Sequence, residues 1–295
     1  MAGKIDRAFA QSAQYRPLDK NDGCVKFIAS LGVNTMSVAD FAMDIDLDTA
    51  PVAKPHDYRL RPLAALRAFR KLIANKEDTE QVFLIMQALS GRSLPNGYQR
   101  LLQSPEGGRQ AYQHLELADK LQDRDWVARF APGTVGAAYK DFIAPRGLTA
   151  YGLAEESRKV SGEMDAQHPL AWYGRRLRDV HDIWHVLTGY GTDALGEACV
   201  VSFSFAQTKS LGFGFIGAGA ALQFESTKSG IPFGKAVWQA WHNGSKSAWL
   251  PDQDYERLFA EPLDAARARL KIARPTLYDS IPAHHRDGLL RKVAA

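Results

Sequence analysis

The chain has 295 residues, a formal net charge of +4, and 45% hydrophobic and 24% charged residues. At about 100 to 200 residues per domain, this length favours one large domain, and the composition is ordinary for a soluble globular protein, which argues against disorder. The basic residues are scattered, so a nucleic-acid patch is not expected, whereas an anionic membrane surface or a carboxylate substrate suits the charge.

The cysteines and the uncharged segments restrict which cellular compartments are expected for the protein. Cys24 and Cys199 belong to no paired motif, so we expect no disulfide framework and a reducing, cytoplasmic environment. Residues 1–22 are polar, lack the apolar core of a secretory signal, and are predicted to form a flexible arm. The longest uncharged stretch, Ser210 to Phe224, is shorter than the roughly 20 residues that span a bilayer.

Apolar residues recur at spacings of three and four along most of the chain, and strand signals are scarce. This pattern predicts an all-α protein with a single helical domain over residues 23–283, followed by a basic tail over residues 284–295. The first clear helix, Arg61 to Ala74, has a basic outer face, which predicts packing on the core or, alternatively, contact with lipid headgroups. Its apolar stripe is formed by Leu63, Leu66, Phe69, Leu72 and Ile73.

Further helices are predicted in chain order. Asp78 and Gln81 resemble a capping box before Val82 to Leu89, a run that is apolar nearly all round and is therefore expected to be central. Later helices are predicted over Pro169 to Leu187, Ala194 to Gln207 and Leu258 to Ala273.

The densest chemistry lies in the motif His181-Asp182-Ile183-Trp184-His185. At about 100° per residue, the two histidines lie roughly 40° apart on a helix, and Asp182 lies about 100° from His181, so the three can face one point. Glu197 would lie roughly 18 Å from His185 on an unbroken helix. A reversal at Gly189 or Gly191, with Thr192 or Asp193 capping the next helix, would bring Glu197 back as a helical hairpin.

These four side chains, His181, Asp182, His185 and Glu197, are candidate ligands of a divalent metal. Zinc is the first choice because imidazole and carboxylate suit a tetrahedral site, and Fe(II), Mn(II) or Co(II) fit the same donors. The competing interpretation is that the histidines make hydrogen bonds in the core while the carboxylates are solvated.

Arg178 lies on the same face of the predicted helix, at roughly 60° on the helical wheel. Because arginine binds carboxylates through two parallel hydrogen bonds, we expect it to anchor an acidic substrate. The alternative is that it pairs with Asp182 or Glu197.

The run from Gly212 to Gly219 contains the spacing of a dinucleotide fingerprint, but no strand precedes it and no βαβ unit surrounds it, so we reject that interpretation. Small residues interleaved with aromatic ones either allow helices to approach closely or leave an apolar channel for a long aliphatic tail. The candidate tail-binding residues are Phe213, Phe215, Ile216, Gly217 and Phe224.

The motif His181-Asp182-x-x-His185, followed by eleven residues and Glu197, resembles the signature of the coenzyme Q biosynthesis protein 4 family. The resemblance extends to Arg176-x-Arg178-Asp179-Val180 and to Pro132-Gly133-Thr134-x-Gly136-x-x-Tyr139-x-x-Phe142. It implies an all-helical fold, a divalent ion, commonly assigned as zinc, on the four candidate ligands, and a role in ubiquinone biosynthesis.

The resemblance also implies that the ring C1 carboxylate of a polyprenylated hydroxybenzoate intermediate is lost and replaced by hydroxyl. On this hypothesis the protein is a metal-dependent lyase or hydroxylating decarboxylase, with Arg178, His181, Asp182 and His185 as catalytic residues. Expected partners are the prenylated precursor, the other biosynthetic proteins, a second copy of the chain and, peripherally, the inner (cytoplasmic) membrane.

Two other functions are compatible with the same residues. The protein could be a non-catalytic scaffold that binds prenyl lipids and organises the pathway enzymes around a structural metal with a closed ligand shell. A metallohydrolase is a weaker alternative, because HDxxH differs from the HExxH of metalloproteases by one methylene, and the shorter acid reaches an attacking water less well.

Overall fold

The computed structural model describes residues 58–75, 78–144, 168–225 and 230–286. Every described residue belongs to one compact unit, His56–Ala295. The predicted N-terminal arm, residues 1–22, lies outside the described residues. All regular elements in the described ranges are helices, with one isolated antiparallel bridge between Thr134 and Pro262, so the predicted all-α class is confirmed.

The helices before the His181–His185 motif are α1 (Pro62–Ala74), α2 (Thr79–Leu89), α3 (Ser93–Leu101), α4 (Pro105–Gln113), α5 (Leu117–Gln122), α6 (Arg124–Ala128) and α7 (Val135–Ile143). Those that carry and follow it are α8 (Pro169–Asp179), α9 (His181–Thr188), α10 (Ala194–Thr208), α11 (Leu211–Glu225), α12 (Phe233–Lys246), α13 (Tyr255–Ala260), α14 (Leu263–Arg269), α15 (Thr276–Ser280) and α16 (Ala283–Arg286). A 3₁₀ turn, Leu250–Asp252, follows α12. None of the described helices is both long enough and apolar enough to cross a membrane.

The core is organised around α10, which is buried along most of its length and packs against α11 and α12. Gly244 of α12 lets the two backbones approach closely, because a Cβ atom there would lie only 2.7 Å from the carbonyl oxygen of Phe203. Gln207 then joins α10 to the chain after α12, donating to the Gly244 oxygen at 2.7 Å and accepting from the Leu250 nitrogen at 2.8 Å. These contacts hold the C-terminal end of α10 against the chain around α12.

Helix α1 has nearly the predicted bounds, but its buried face differs from the prediction. It packs against α2, and the residues that it buries are Ala65 and Ala68, whereas Leu63 is 70% exposed. Small side chains allow two helices to approach closely, so this contact uses alanine where the pattern suggested leucine. Of the predicted stripe, Phe69 and Leu72 pack against the core, and Phe69 lies edge-on against Phe215 of α11, with ring centroids 5.1 Å apart.

Helix α2 is less central than its composition suggests. Ile85, Ala88 and Leu89 are buried, while Val82, Phe83, Leu84 and Met86 are only partly covered. Gln81 donates to the Asp78 carboxylate at 3.3 Å, but the Asp78 side chain caps no backbone nitrogen, so the predicted capping box does not form.

Two helices predicted as continuous are each divided in two. Pro169 to Leu187 is broken at Val180, which ends α8 and precedes α9. Leu258 to Ala273 is interrupted at Pro262, because proline lacks an N–H group and pushes the preceding Glu261 into an extended conformation, with ψ of 143°.

Helix α8 is held by Arg176, which is buried. Its Nε donates to the Pro251 oxygen at 3.0 Å and its Nη2 donates to the Gln253 oxygen at 2.6 Å. Burial lowers the pKa of this guanidinium. Backbone oxygens of the 3₁₀ turn region therefore fix the orientation of the helix that leads into the His181–His185 motif.

The contact between α10 and α12 gives a test of the fold. Gly244→Ala should lower the free energy of unfolding by about 1 to 3 kcal/mol, because the added methyl group overlaps the Phe203 backbone. Gly174→Ala is the matched control. Its methyl group would meet only Leu94, at 3.8 Å, so better helix propensity should raise stability by up to about 1 kcal/mol. Urea denaturation followed by circular dichroism measures both, and a Gly244→Ala protein as stable as wild type would contradict the packing.

Candidate metal centre

Three of the four predicted ligands meet at the start of α9 and α10. His181 is the first residue of α9, His185 lies one turn later, and Glu197 belongs to the first turn of α10. One potential ligand atom from each lies within 4.8 Å of the others. The Nε2 atom of His185 is 3.5 Å from Glu197 Oε1, and the Nε2 atom of His181 is 3.9 Å from Glu197 Oε2.

This spacing fits a metal ion. Ligand atoms at about 2.0 to 2.1 Å from a tetrahedral zinc are separated by roughly 3.4 Å. The two separations between the imidazoles and the Glu197 carboxylate are close to this value, so small side-chain movements suffice to bring the three groups to one ion. The group therefore satisfies the distance requirement that the sequence spacing suggested.

The orientation of His185 supports the same interpretation. Its Nδ1 atom lies 3.0 Å from the Tyr190 carbonyl oxygen, an acceptor that requires the proton to be on Nδ1. The ring stacks on Phe142, with centroids 5.4 Å apart, and the side chain is only 1% exposed. The Nε2 atom is buried and has no hydrogen-bond partner in the described part of the chain. A buried lone pair without a partner, on a ring whose other nitrogen is fixed, is typical of a metal ligand.

Asp182 lies outside this group of three. Its Oδ1 atom is 3.2 Å from Nδ1 of His181, on the side of the ring away from the Nε2 atom that approaches Glu197. A carboxylate in this position orients a ligating imidazole. The prediction that Asp182 is itself a ligand stays a prediction.

The charges of the group reinforce one another. Burial alone would raise the pKa of Glu197, but the neighbouring imidazoles of His185 and His181 outweigh it, so the pKa is lowered. For His181, burial lowers the pKa, whereas the hydrogen bond to Asp182 and the charge of Glu197 raise it, and the net pKa is raised. Glu197 is also 44% exposed, so the group opens to solvent on the α10 side.

The predicted reversal between the two helices is confirmed. Gly189 ends α9 in the left-handed conformation, with φ of 82°, which only glycine adopts without strain. Asp193 is the cap of α10, because its Oδ1 atom accepts from the Gly196 nitrogen at 2.9 Å. A Cβ atom on Gly196 would overlap the carbonyl oxygen of Gly191, so α10 begins directly against the turn.

Arg178 has a partner that the sequence did not suggest. Its Nε and Nη2 atoms both donate to Asp179 Oδ1, at 2.9 and 2.7 Å, whereas pairing with Asp182 or Glu197 was the expected alternative. The Asp179 side chain is almost completely buried, and burial raises its pKa against the opposing effect of Arg178. The wheel angle of Arg178 assumed an unbroken helix, and the break at Val180 removes that assumption.

Tyr139 is a residue of this region to which sequence reasoning gave no role. It is buried on α7, and burial together with the charges of Asp182 and Asp179 raises its pKa. The hydroxyl therefore stays protonated near the two carboxylates. Tyr139 is one of the residues on which the family resemblance depends, and this was the only signal that could have identified it.

The candidate tail-binding residues on α11 are packed against neighbouring helices. Ile216 and Phe224 are buried, and Phe224 stacks on Phe233 at 5.0 Å. A Cβ atom on Gly217 would lie 3.4 Å from the Ser202 side chain of α10, the helix that carries Glu197. These are the contacts expected from core packing, and the role in tail binding stays a prediction.

An open cleft of about 490 Å³ lies in another part of the structure. It is bordered by the segment around Pro132, by the outer face of α7, and by Leu263 of α14. None of the predicted ligands or tail-binding residues lines it.

Comparisons with known proteins agree with the motif. Residues 59–276 match the sequence profile of the family described as "Coenzyme Q (ubiquinone) biosynthesis protein Coq4". The chain is 26% identical to the human mitochondrial ubiquinone biosynthesis protein COQ4 homolog, covering 79% of this chain and 83% of that protein. The corresponding zebrafish protein is 29% identical over 60% of this chain, and the rat protein 26% identical over 60%. The chain spans 63% of the zebrafish and 64% of the rat protein, just under two thirds of each.

A solved structure shows the same fold. A crystal structure of a protein from Nostoc punctiforme PCC 73102, provisionally assigned to ubiquinone biosynthesis, superposes with a TM-score of 0.55 at 18% identity. The match covers 72% of this chain and 99% of that chain. The sequence profile, which matches most of the chain, shows that the protein belongs to the coenzyme Q (ubiquinone) biosynthesis protein Coq4 family.

Proposed function

We propose that this protein acts in ubiquinone biosynthesis, in metal-dependent decarboxylation at ring C1 of a polyprenylated hydroxybenzoate, with hydroxyl replacing the lost carboxylate. Family membership supports the pathway. The observation that carries the metal-dependent chemistry is the buried, unpartnered Nε2 atom of His185, directed toward the carboxylate of Glu197.

Two imidazoles and one carboxylate are a donor set that leaves coordination positions for substrate. The same set holds catalytic zinc in several hydrolases and Fe(II) in many oxygenases. In our proposal His181, His185 and Glu197 hold the divalent metal, and Asp182 orients His181. Zinc remains the first choice, with Fe(II), Mn(II) and Co(II) as alternatives that suit the same donors.

The bound metal would supply a Lewis acid that accepts negative charge from a carboxylate or phenolate oxygen. The residues of the chain contribute position and environment. The Tyr190 carbonyl holds His185 in the tautomer with a free Nε2, and the Phe142 ring covers that imidazole on one face. Arg178 keeps N–H groups beyond the two that Asp179 occupies, and we propose that these orient the ring carboxylate.

The proposed reaction can have either of two overall stoichiometries. Simple decarboxylation exchanges carbon dioxide for a proton and needs no oxidant, whereas replacement by hydroxyl adds an oxygen atom and therefore requires dioxygen or another oxidant. The residues proposed to hold the metal are compatible with either reaction.

The prenyl tail and the membrane belong to the same proposal. In this proposal the apolar helix α11 takes the tail, and α1 and α11 form a peripheral contact with an anionic membrane. The two helices touch through Phe69 and Phe215, while Leu63 and Leu222 are 70% and 73% exposed. Exposed leucines beside the basic residues of α1 suit a lipid surface.

The scaffold function remains the alternative. It is favoured if Asp182 joins the other three residues and closes a four-ligand structural site, since no position is then left for substrate. In that case the protein binds prenylated intermediates and the other pathway proteins without conversion. A metallohydrolase has no further support in the geometry.

Metal binding is the first test. We expect the wild-type protein to bind one equivalent of Zn²⁺ and His185→Ala to lose this binding, because the buried donor is removed. Asp182→Asn should weaken binding by about 10- to 100-fold if the carboxylate only orients His181, and more if it is a ligand. His242→Ala, on α12, is the matched control and should bind normally. Competition with a chromophoric chelator measures the affinities, and a His185→Ala protein that retains zinc would show that the site is wrongly assigned.

Turnover separates enzyme from scaffold. A prenylated hydroxybenzoate incubated with the metal-loaded protein should lose its ring carboxylate, and dioxygen should be needed only if hydroxyl replaces it. Arg178→Met should lower kcat/KM by about 10- to 100-fold while leaving metal affinity unchanged, because only substrate orientation is affected. Products are identified by mass spectrometry. Bound but unconverted substrate under aerobic and anaerobic conditions would favour the scaffold.

Membrane contact is tested by flotation with vesicles that contain anionic lipid. The double variant Leu63→Ser/Leu222→Ser should reduce binding by at least about tenfold, since each leucine that enters lipid contributes roughly 1.5 to 3 kcal/mol. Leu102→Ser is the control, because Leu102 is exposed at the end of α3, on another part of the fold. If both proteins float equally well, α1 and α11 are not the contact surface.

A further inference from the structure

The turn between α9 and α10 is held from outside by a tyrosine of α15. The Tyr278 hydroxyl accepts a hydrogen bond from the Gly191 nitrogen at 3.0 Å and donates to Asp193 Oδ2. Tyr278 is nearly completely buried, and the Arg286 guanidinium lies over its ring, 4.0 Å from the ring centroid. Burial, followed by the hydrogen bond to Asp193, raises the pKa of Tyr278 to about 12, so the hydroxyl remains a donor at neutral pH.

The hydrogen bond from Gly191 to Tyr278 links Tyr278 to His185. Gly191 follows Tyr190, whose carbonyl oxygen is the acceptor for His185 Nδ1. The Tyr190 and Tyr278 rings also meet edge to face, with centroids 5.5 Å apart. The phenol of Tyr278 therefore fixes the peptide segment that determines which nitrogen of His185 carries the proton.

The hydrogen bond from Tyr278 to Asp193 links Tyr278 to Glu197. Asp193 uses Oδ2 for the Tyr278 hydroxyl and Oδ1 for the Gly196 nitrogen, the residue directly before Glu197. The orientation of the first turn of α10 thus depends on the same carboxylate that Tyr278 binds. The Tyr278 hydroxyl lies directly against the backbone here, because a Cβ atom on Gly191 would lie 2.6 Å from the Tyr278 oxygen.

Arg267 of α14 completes the support. Its Nε donates to the Leu187 oxygen at 2.9 Å and its Nη2 donates to the Val186 oxygen at 3.0 Å. These are carbonyls of the last turn of α9, which a helix leaves without intrahelical partners. The end of α9 and the start of α10 are therefore both held by side chains from the C-terminal helices.

We propose that Tyr278 is a positioning residue of the metal centre, which couples His185 and Glu197 by fixing the Tyr190 carbonyl and the Asp193 cap through one hydroxyl. The inference rests on the proposed metal-binding function. Tyr278 does not touch the metal or the substrate. It acts by holding two donors, from two helices, at the separation that one ion requires.

The test is Tyr278→Phe, which keeps the ring and removes only the hydroxyl. The Zn²⁺ dissociation constant should rise about tenfold, within the range found for residues that support metal ligands. In the metal-free protein, ¹⁵N chemical shifts of labelled histidines should show His185 protonated on Nδ1 in wild type and as a mixture of tautomers in the variant. The His185 signal is assigned by its absence from the spectrum of His185→Gln.

Two further variants separate positioning from general stability. Asp193→Asn keeps the oxygen that caps α10 but weakens the acceptor for Tyr278, and should raise the zinc dissociation constant by a smaller factor. Gln207→Met removes hydrogen bonds at the far end of α10 and should lower the unfolding temperature without changing zinc affinity or the His185 tautomer.

The outcomes are distinct. Zinc affinity and the His185 tautomer both unchanged in folded Tyr278→Phe would overturn the inference. If wild type binds no zinc, the proposed function fails, and the tautomer of His185 in wild type and in Tyr278→Phe still decides whether Tyr278 positions this ring. A Gln207→Met protein that lost zinc to the same extent as Tyr278→Phe would also overturn it, because the effect would then follow from stability alone.

Discussion

The candidate metal centre depends on one reversal of the chain. Donors from α9 and α10 can meet only if α10 starts immediately beside the end of α9, and the backbone at that point leaves no space for side chains. Gly189 supplies the left-handed residue, and Gly196 lies so close to the Gly191 oxygen that a methyl group would overlap it. The eleven residues between His185 and Glu197 are therefore the last three residues of α9, the five residues of the turn and the first three residues of α10.

What the sequence could predict was local. The two histidines, the reversal at Gly189 and the cap at Asp193 follow from helical periodicity and from the conformational preferences of glycine and aspartate. The partner of Arg178 could not be predicted, because the angular argument assumed one helix where the chain breaks at Val180. The hydrophobic pattern also could not predict that Ala68 is buried while Leu63 is exposed, because this depends on how closely α1 approaches α2 and not on hydrophobicity alone. Tyr278, 81 residues after Glu197, reaches the turn only through the tertiary fold.

The electrostatics of the site bear on the choice between an enzyme and a scaffold. An anionic substrate that approaches His181 meets the carboxylates of Asp182 and Glu197, and the pKa of Glu197 is lowered, so its charge is retained. Arg178, the nearest cation along the preceding helix, is already partly neutralised by Asp179. A carboxylate could therefore bind here only with a cation between it and the two acids. The same divalent ion that could stabilise a structural site is thus also a requirement for binding an acidic ring.

Helix α10 contributes residues to both regions where the proposed substrate would bind, the metal centre and the contact with α11. Glu197 lies in its first turn, and Ser202, which faces Gly217 of α11, follows five residues later, or about 7.5 Å along the axis. These five residues also turn the helix by about 140°, so Ser202 lies on a different face of α10 from Glu197. A ring held at the metal and a prenyl tail beside α11 would therefore contact different faces of α10. Because α10 is buried along most of its length and is fixed by Gln207 at its far end, the separation between these two positions is set by the core.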